Sequence, residues 1–200
     1  SRYELADVLQ GKCYYEDAVV EITAIPNLYL IPTFAIGGTL KLYSETKLSD
    51  EPFIIQDLVH SMNDDFDHII LDLSPGLGRL ERSALISSDE VITPMTPEVF
   101  GLDGLEIFIE ELGRLRKNLR SNLIHKRIII NSFDNRIKQH RDILNAATEG
   151  KFIVYKIPVD PHFRKAQEAG KAPQLFKIRG RGLKPATAEA FEMLNTDIWS

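Results

Sequence analysis

His68-Ile69-Ile70-Leu71-Asp72-Leu73-Ser74-Pro75-Gly76-Leu77-Gly78 is the stretch on which the reading of this chain turns. An apolar run too short for a helix carries an aspartate near its end and stops at a Pro-Gly turn. Such a run, apolar on both faces, marks a strand buried in a parallel sheet. On that reading Asp72 emerges at the strand's carboxyl end, beside a loop of unusual conformational freedom. A carboxylate held there can orient the water shell of a magnesium ion, and backbone amides near Gly76 can approach a terminal phosphate. The same residues also serve blander ends: an aspartate caps helices and turns, and Gly76 and Gly78 form turns.

Working outward, the pattern repeats. Short apolar runs bounded by turn residues predict strands over residues 28–32, 68–73, 90–94, 127–131 and 152–157. Leu105, Phe108, Ile109, Leu112, Leu115 and Leu119 recur at helical spacing and predict one long amphipathic helix. Shorter helices are predicted over residues 3–9, 15–20, 53–62, 79–87, 136–148, 161–169 and 185–194. Strands alternating with helices indicate an α/β fold, a mostly parallel twisted sheet with helices on both faces. Ligands of such sheets sit beyond the carboxyl ends of the strands. At 200 residues, a single domain over 1–200 is expected. No apolar run reaches the roughly 18 residues of a membrane span and the first residues show no signal peptide, so a cytoplasmic protein is expected. Cys13 is alone and forms no internal disulfide, and His60, His68, His125, His140 and His162 show no metal spacing.

The net charge of −5 conceals a division. Residues 1–113 hold 6 Lys/Arg against 21 Asp/Glu, whereas residues 114–200 hold 18 against 8. Clustered cations displace counterions from a phosphate backbone, so the basic part hints at a polyanion; basic helices that merely face water or the acidic half are the plainer alternative. Within it, residues 162–184 carry seven Lys/Arg against Glu168 alone.

The other strand ends add candidates. The run over residues 90–94 leads into Thr93-Pro94 and Thr96-Pro97, whose prolines fix an extended exit and mark a functional loop. The next ends at Asn131, whose carboxamide both donates and accepts and so could read a purine edge, or could simply cap a turn. The last ends at Pro158 and Asp160, where a base or ribose could be bracketed.

These segments together resemble the ParA/Soj/MinD family of deviant-Walker P-loop ATPases, closest to its ParA partition branch. The resemblance rests on residues 67–76, Asp89 to Glu98, Gly101, Gly104-Leu105, residues 131–134, Ile157-Pro158 and Gly170-Lys171, in order over nearly the whole chain. It implies that Asp72 is the aspartate that holds magnesium through water, and that Ser74 to Gly78, with Pro75 and Gly76 among them, form the switch loop sensing the terminal phosphate. It implies further that Thr96, Pro97 and Glu98 lie near the nucleotide and dimer face, that Asn131 reads adenine, and that Pro158 and Asp160 border the base. Asp160 departs from the asparagine usual there. The implied cofactors are ATP and Mg2+. The implied partners are a second copy of the chain, nonspecific DNA, and a ParB-like activating protein or other cargo adaptor, with no membrane and with association to the nucleoid. Arg136, Lys138, Arg164, Lys165, Arg179, Arg181 and Lys184 are the expected DNA contacts.

The family's Lys-Gly-Gly-x-Gly-Lys-Thr loop is missing: no GxxxxGK[ST] occurs among the 200 residues. Phosphoryl transfer without those amides and lysines loses its main electrostatic stabilisation, so ATP hydrolysis is not expected of these residues alone. Two βα units, roughly 70 to 80 residues, are expected upstream in a longer protein, and their absence should leave a gap in the sheet. Two alternatives to the partition reading are carried forward: a MinD-like membrane-positioning ATPase, disfavoured by three acids and one cation over residues 184–200, and a non-catalytic adaptor for DNA or a partner.

Overall fold

A computed structural model describes residues 2–34, 39–48, 51–74, 76–118 and 123–199, with residues 99–102 described by their backbone only. The chain divides into two compact units, residues 1–89 with 114–123, and residues 90–113 with 124–200.

The second unit is an α/β layer built on a parallel sheet. Its strands are β3 (Glu90–Met95), β4 (Ile124–Phe133) and β5 (Ile153–Pro158), in the order β3-β4-β5. All three lie where the apolar runs predict them, because residues apolar on both sides pack only between two layers. Ile128 and Ile130 of the central strand are fully buried and share a core with Met95, Leu105, Ile143 and Ala147. Leu105 comes from α6 (Val99–Asn118), and Ile143 and Ala147 from α7 (Lys138–Glu149). Val154 packs on the same core, so its neighbours Tyr155 and Ile157, also buried, face the other way. There Tyr155 meets Asp197 of α9 (Pro185–Trp199), which sets helices on both faces of the sheet. The helix α8 (Pro161–Glu168) follows β5 directly. Pro94 sits in β3, which pairs only with β4 among the described residues, and a proline's missing N–H costs nothing on an unpaired edge.

The first unit holds α1 (Leu5–Leu9), α2 (Tyr15–Ala18), α3 (Thr39–Thr46), α4 (Ile54–Met62) and α5 (Arg79–Ser87), with β1 (Val20–Glu21) and β2 (Tyr29–Leu30) as a small antiparallel pair. Leu9, Tyr43, Leu48, Ile55 and Ala84 form its core.

Here the structure departs from expectation at two strands. Residues 28–32 contribute only the short β2, paired antiparallel with β1 and not within the parallel sheet. Residues 68–73 form no strand, although the chain there is extended in pattern: Leu71 and Leu73 pack on the core while Ile70, 73% exposed, and Asp72 point away. A strand is defined by its ladder, and among the described residues no β-strand runs alongside this segment; apolar alternation supplies a face but not a ladder. The helix α3 is one that the sequence pattern does not predict. The end of the predicted long helix at Leu119 lies outside the described residues.

Candidate functional site

Parallel strands in register end together. Met95 pairs with Ile130, and Phe133 with Pro158, so the exits of β3, β4 and β5 form one carboxyl rim within the second unit. Thr96, Pro97, Asn131, Pro158 and Asp160 are therefore brought to the same edge of the sheet. Thr96 is exposed and Pro97 buried, with the Glu98 N–H donating to the Thr96 carbonyl at 2.8 Å to tighten the exit.

Asn131 stands where the ladder breaks. The β4–β5 register slips between Ile130 and Phe133, which leaves Asn131 and Ser132 opposite a single residue, and Ser132 takes a left-handed φ of 59°. The bulge turns Asn131 into the open. Its Oδ1 accepts from the Ser132 N–H at 2.9 Å, so the carboxamide is fixed by its own backbone and its NH2 end meets no partner among the described residues. An exposed amide donor at a strand end suits an acceptor on a purine edge.

Asp160 is more committed. It is the N-cap of α8, and its Oδ1 accepts from the His162 N–H at 3.0 Å. Its Oδ2 accepts from the Lys184 N–H at 2.9 Å, immediately before α9 begins. Burial works against its charge, but the N–H groups of Lys184 and His162 outweigh burial and hold the carboxyl below the usual aspartate value. The Lys184 ammonium donates to the Val159 carbonyl at 3.1 Å. His162 is buried; its Nε2 donates to the Pro173 carbonyl at 3.1 Å and its ring lies 5.4 Å from that of Phe176.

Residues 178–181 form a tight hairpin that the sequence did not announce. Ile178 and Arg181 exchange two backbone hydrogen bonds, of 2.8 and 3.0 Å, around Arg179 and Gly180. Both central residues have positive φ, 50° and 77°, the signature of a type I′ turn. Glycine is at home there and arginine is not. The only advance signal was Gly180, since a cation stands where Asn or Asp is usual.

The hairpin faces a cavity of about 470 Å³ lined by Asp160, His162, Lys165, Arg179, Arg181 and Lys184, among others. Four of the seven expected DNA contacts thus converge. The other three do not line it. Arg136 forms a forked ion pair with Asp134, at 2.6 Å from Nη2 to Oδ2, and Arg164 pairs along α8 with Glu168 at 3.1 Å. Lys138 opens α7. The Arg136 guanidinium, helped by its own N–H, holds the Asp134 carboxyl far below the carboxylate range.

In the first unit, Asp72 is exposed between Leu71 and Leu73, and Gly76 is exposed with its N–H donating to the Ser74 carbonyl at 2.8 Å. Pro75 lies outside the described residues. The Ser74 hydroxyl donates to the Glu81 carboxylate, which ties the loop to the first turn of α5. Glu81 folds over Gly78 so closely that a Cβ there would meet its Oε2 at 2.6 Å. Arg79 donates to the Glu45 carbonyl at 2.9 Å. Among the described residues, no cluster of three or more His, Cys, Asp or Glu is poised for a metal.

An AAA domain family model matches residues 1–125. An uncharacterized protein of Borreliella burgdorferi is 30% identical over 83% of this chain and 67% of its own length. The chromosome-partitioning ATPase Soj of Treponema pallidum is 28% identical over 71% of this chain, which spans only 55% of that protein. A putative plasmid partition protein from Borrelia burgdorferi B31, solved bound to AMPPNP, superposes with a TM-score of 0.77 at 22% identity, covering 98% of this chain and 74% of that one. That likeness shows the fold, and the sequence matches show the lineage: the chain belongs to the ParA/Soj/MinD family of P-loop partition ATPases.

Proposed function

We propose that the protein is a ParA-type partition ATPase that binds ATP and Mg2+, dimerises, and holds nonspecific DNA while it segregates a chromosome, plasmid or other cargo, with a ParB-like protein or another adaptor as its activator. One observation carries the reading: Lys165, Arg179, Arg181 and Lys184, drawn from a helix, a hairpin and a loop, line a single cavity. Cations gathered in this way meet backbone phosphates whatever the base sequence, and the resulting binding weakens steeply with salt.

The residues present fit part of the nucleotide. Asn131 offers an amide donor at the rim and would hold the base, while Asp72 would hold magnesium through water; the bound ion would neutralise phosphate charge. No GxxxxGK[ST] cradle for the phosphates occurs in these 200 residues, so turnover is proposed for the whole protein only. The non-catalytic adaptor is distinguished from this reading by DNA retention that ignores ATP. Against the MinD-like alternative stands α9, which has three acids and no Lys or Arg and would be repelled by anionic lipid.

The test is DNA affinity as a function of salt for the protein and for an Arg179→Ala, Arg181→Ala, Lys184→Ala variant. The expected result is weaker binding, with a log–log salt slope shallower by about 0.9 for each phosphate that is no longer neutralised. Equal affinity would remove the cavity as the DNA surface.

A further inference from the structure

One side chain, Asp160, links the elements that carry Lys165 and the Arg179–Lys184 segment to one cavity. Asp160 takes the first free N–H of α8 with one oxygen and the N–H of Lys184, 24 residues later, with the other. Lys165 rides on α8, and the hairpin bearing Arg179 and Arg181 ends three residues before Lys184. The Lys184 ammonium on the Val159 carbonyl adds a second tie at the same place. The wall of a basic cavity thus contains one carboxylate, and both of its oxygens are engaged with backbone.

We infer that Asp160 is a positioning residue for phosphate binding: its carboxylate joins the starts of α8 and α9 and so sets the spacing of the four cations that receive a DNA backbone. The inference rests on the DNA reading proposed above. It makes a prediction opposite in sign to simple electrostatics. Removing an anion from a cavity that accepts phosphates should tighten binding by relieving repulsion. Removing the joint that holds the cations together should weaken it.

Asp160→Asn decides between them, since an amide can still cap α8 but turns an NH2 group toward the Lys184 N–H. Binding of a short labelled random-sequence duplex, measured by anisotropy across salt, is expected to be about tenfold weaker, with a log–log salt slope shallower by about 1.8, the equivalent of two phosphates. Asp160→Ser caps α8 as well but is too short to reach Lys184, and is expected to show the same weakening with circular dichroism unchanged. Equal or tighter binding by either variant overturns the inference and leaves the DNA reading standing. Absence of binding by the unmutated protein overturns both. Should the variants not fold, amide exchange at Lys184 in the unmutated protein gives the answer: slower exchange with DNA bound supports the joint, and unchanged exchange overturns it.

Discussion

Arg179 holds a backbone conformation, φ 50°, that costs a side-chain-bearing residue about 1–2 kcal/mol relative to glycine. Arg179→Gly is therefore expected to raise the melting temperature while lowering DNA affinity, and calorimetry beside a binding titration checks both directions. Strain retained at a cation that lines a cavity is intelligible if the charge is used there. Asp160 gives a second expectation, in pH. Its carboxyl lies below the ordinary aspartate value when folded, so the stability it contributes is fully present above about pH 4 and is lost as pH falls through its lower folded value. The melting temperature should accordingly fall less steeply below that pH in Asp160→Asn than in the unmutated protein. Asp134 behaves alike for a different reason, because the Arg136 guanidinium is forked onto it; Arg136→Ala, which keeps the backbone N–H, should raise its titration, followed by NMR, toward the ordinary carboxylate range.

At the scale of elements, β4 organises the second unit. Ile130 is fully buried among residues of β3, α6 and α7, and Ile130→Ala should cost about 2–5 kcal/mol in chemical denaturation. At the opposite end of the strands Arg127 pairs with Glu90 of β3 and donates to the Asp197 carbonyl of α9 at 2.9 Å, while Tyr155 donates to the Asp197 carboxylate at 2.7 Å. Glu90 Oε1 and Arg127 Nε are buried without hydrogen-bond partners among the described residues, so the pair is incompletely satisfied. Removing Arg127 alone leaves a half-buried carboxylate without its partner, and Arg127→Met should cost about 1–3 kcal/mol. The double variant Glu90→Leu, Arg127→Met should recover most of that stability, which a double-mutant cycle measures. Tyr155→Phe, which forfeits one hydrogen bond to α9, should cost about 1 kcal/mol.

At the scale of the whole molecule, the charge division gains a location. The acidic and basic parts of the sequence follow chain order, and the basic one supplies a cavity whose four cations should give DNA binding a log–log salt slope of about −3 to −4 if each displaces one counterion. A slope near zero would mean that they do not meet phosphate. Each unit carries its own core, one around Ile128 and Ile130 and one around Leu9, Tyr43 and Ile55.

The parallel layer is legible in the residues alone: β3, β4 and β5 are written as apolar runs, and because side-chain burial is a local periodicity, Asn131 and Pro158 could be placed near strand ends without coordinates. The order of the motifs determined the family as well. What the sequence leaves open is that Arg179 occupies a left-handed turn and that Asp160 joins α8 to Lys184. The reason is common to both. A residue's apolar or polar character reports whether it will be buried, whereas the partner of a backbone N–H or a carboxylate oxygen is fixed by which distant segment the fold delivers beside it.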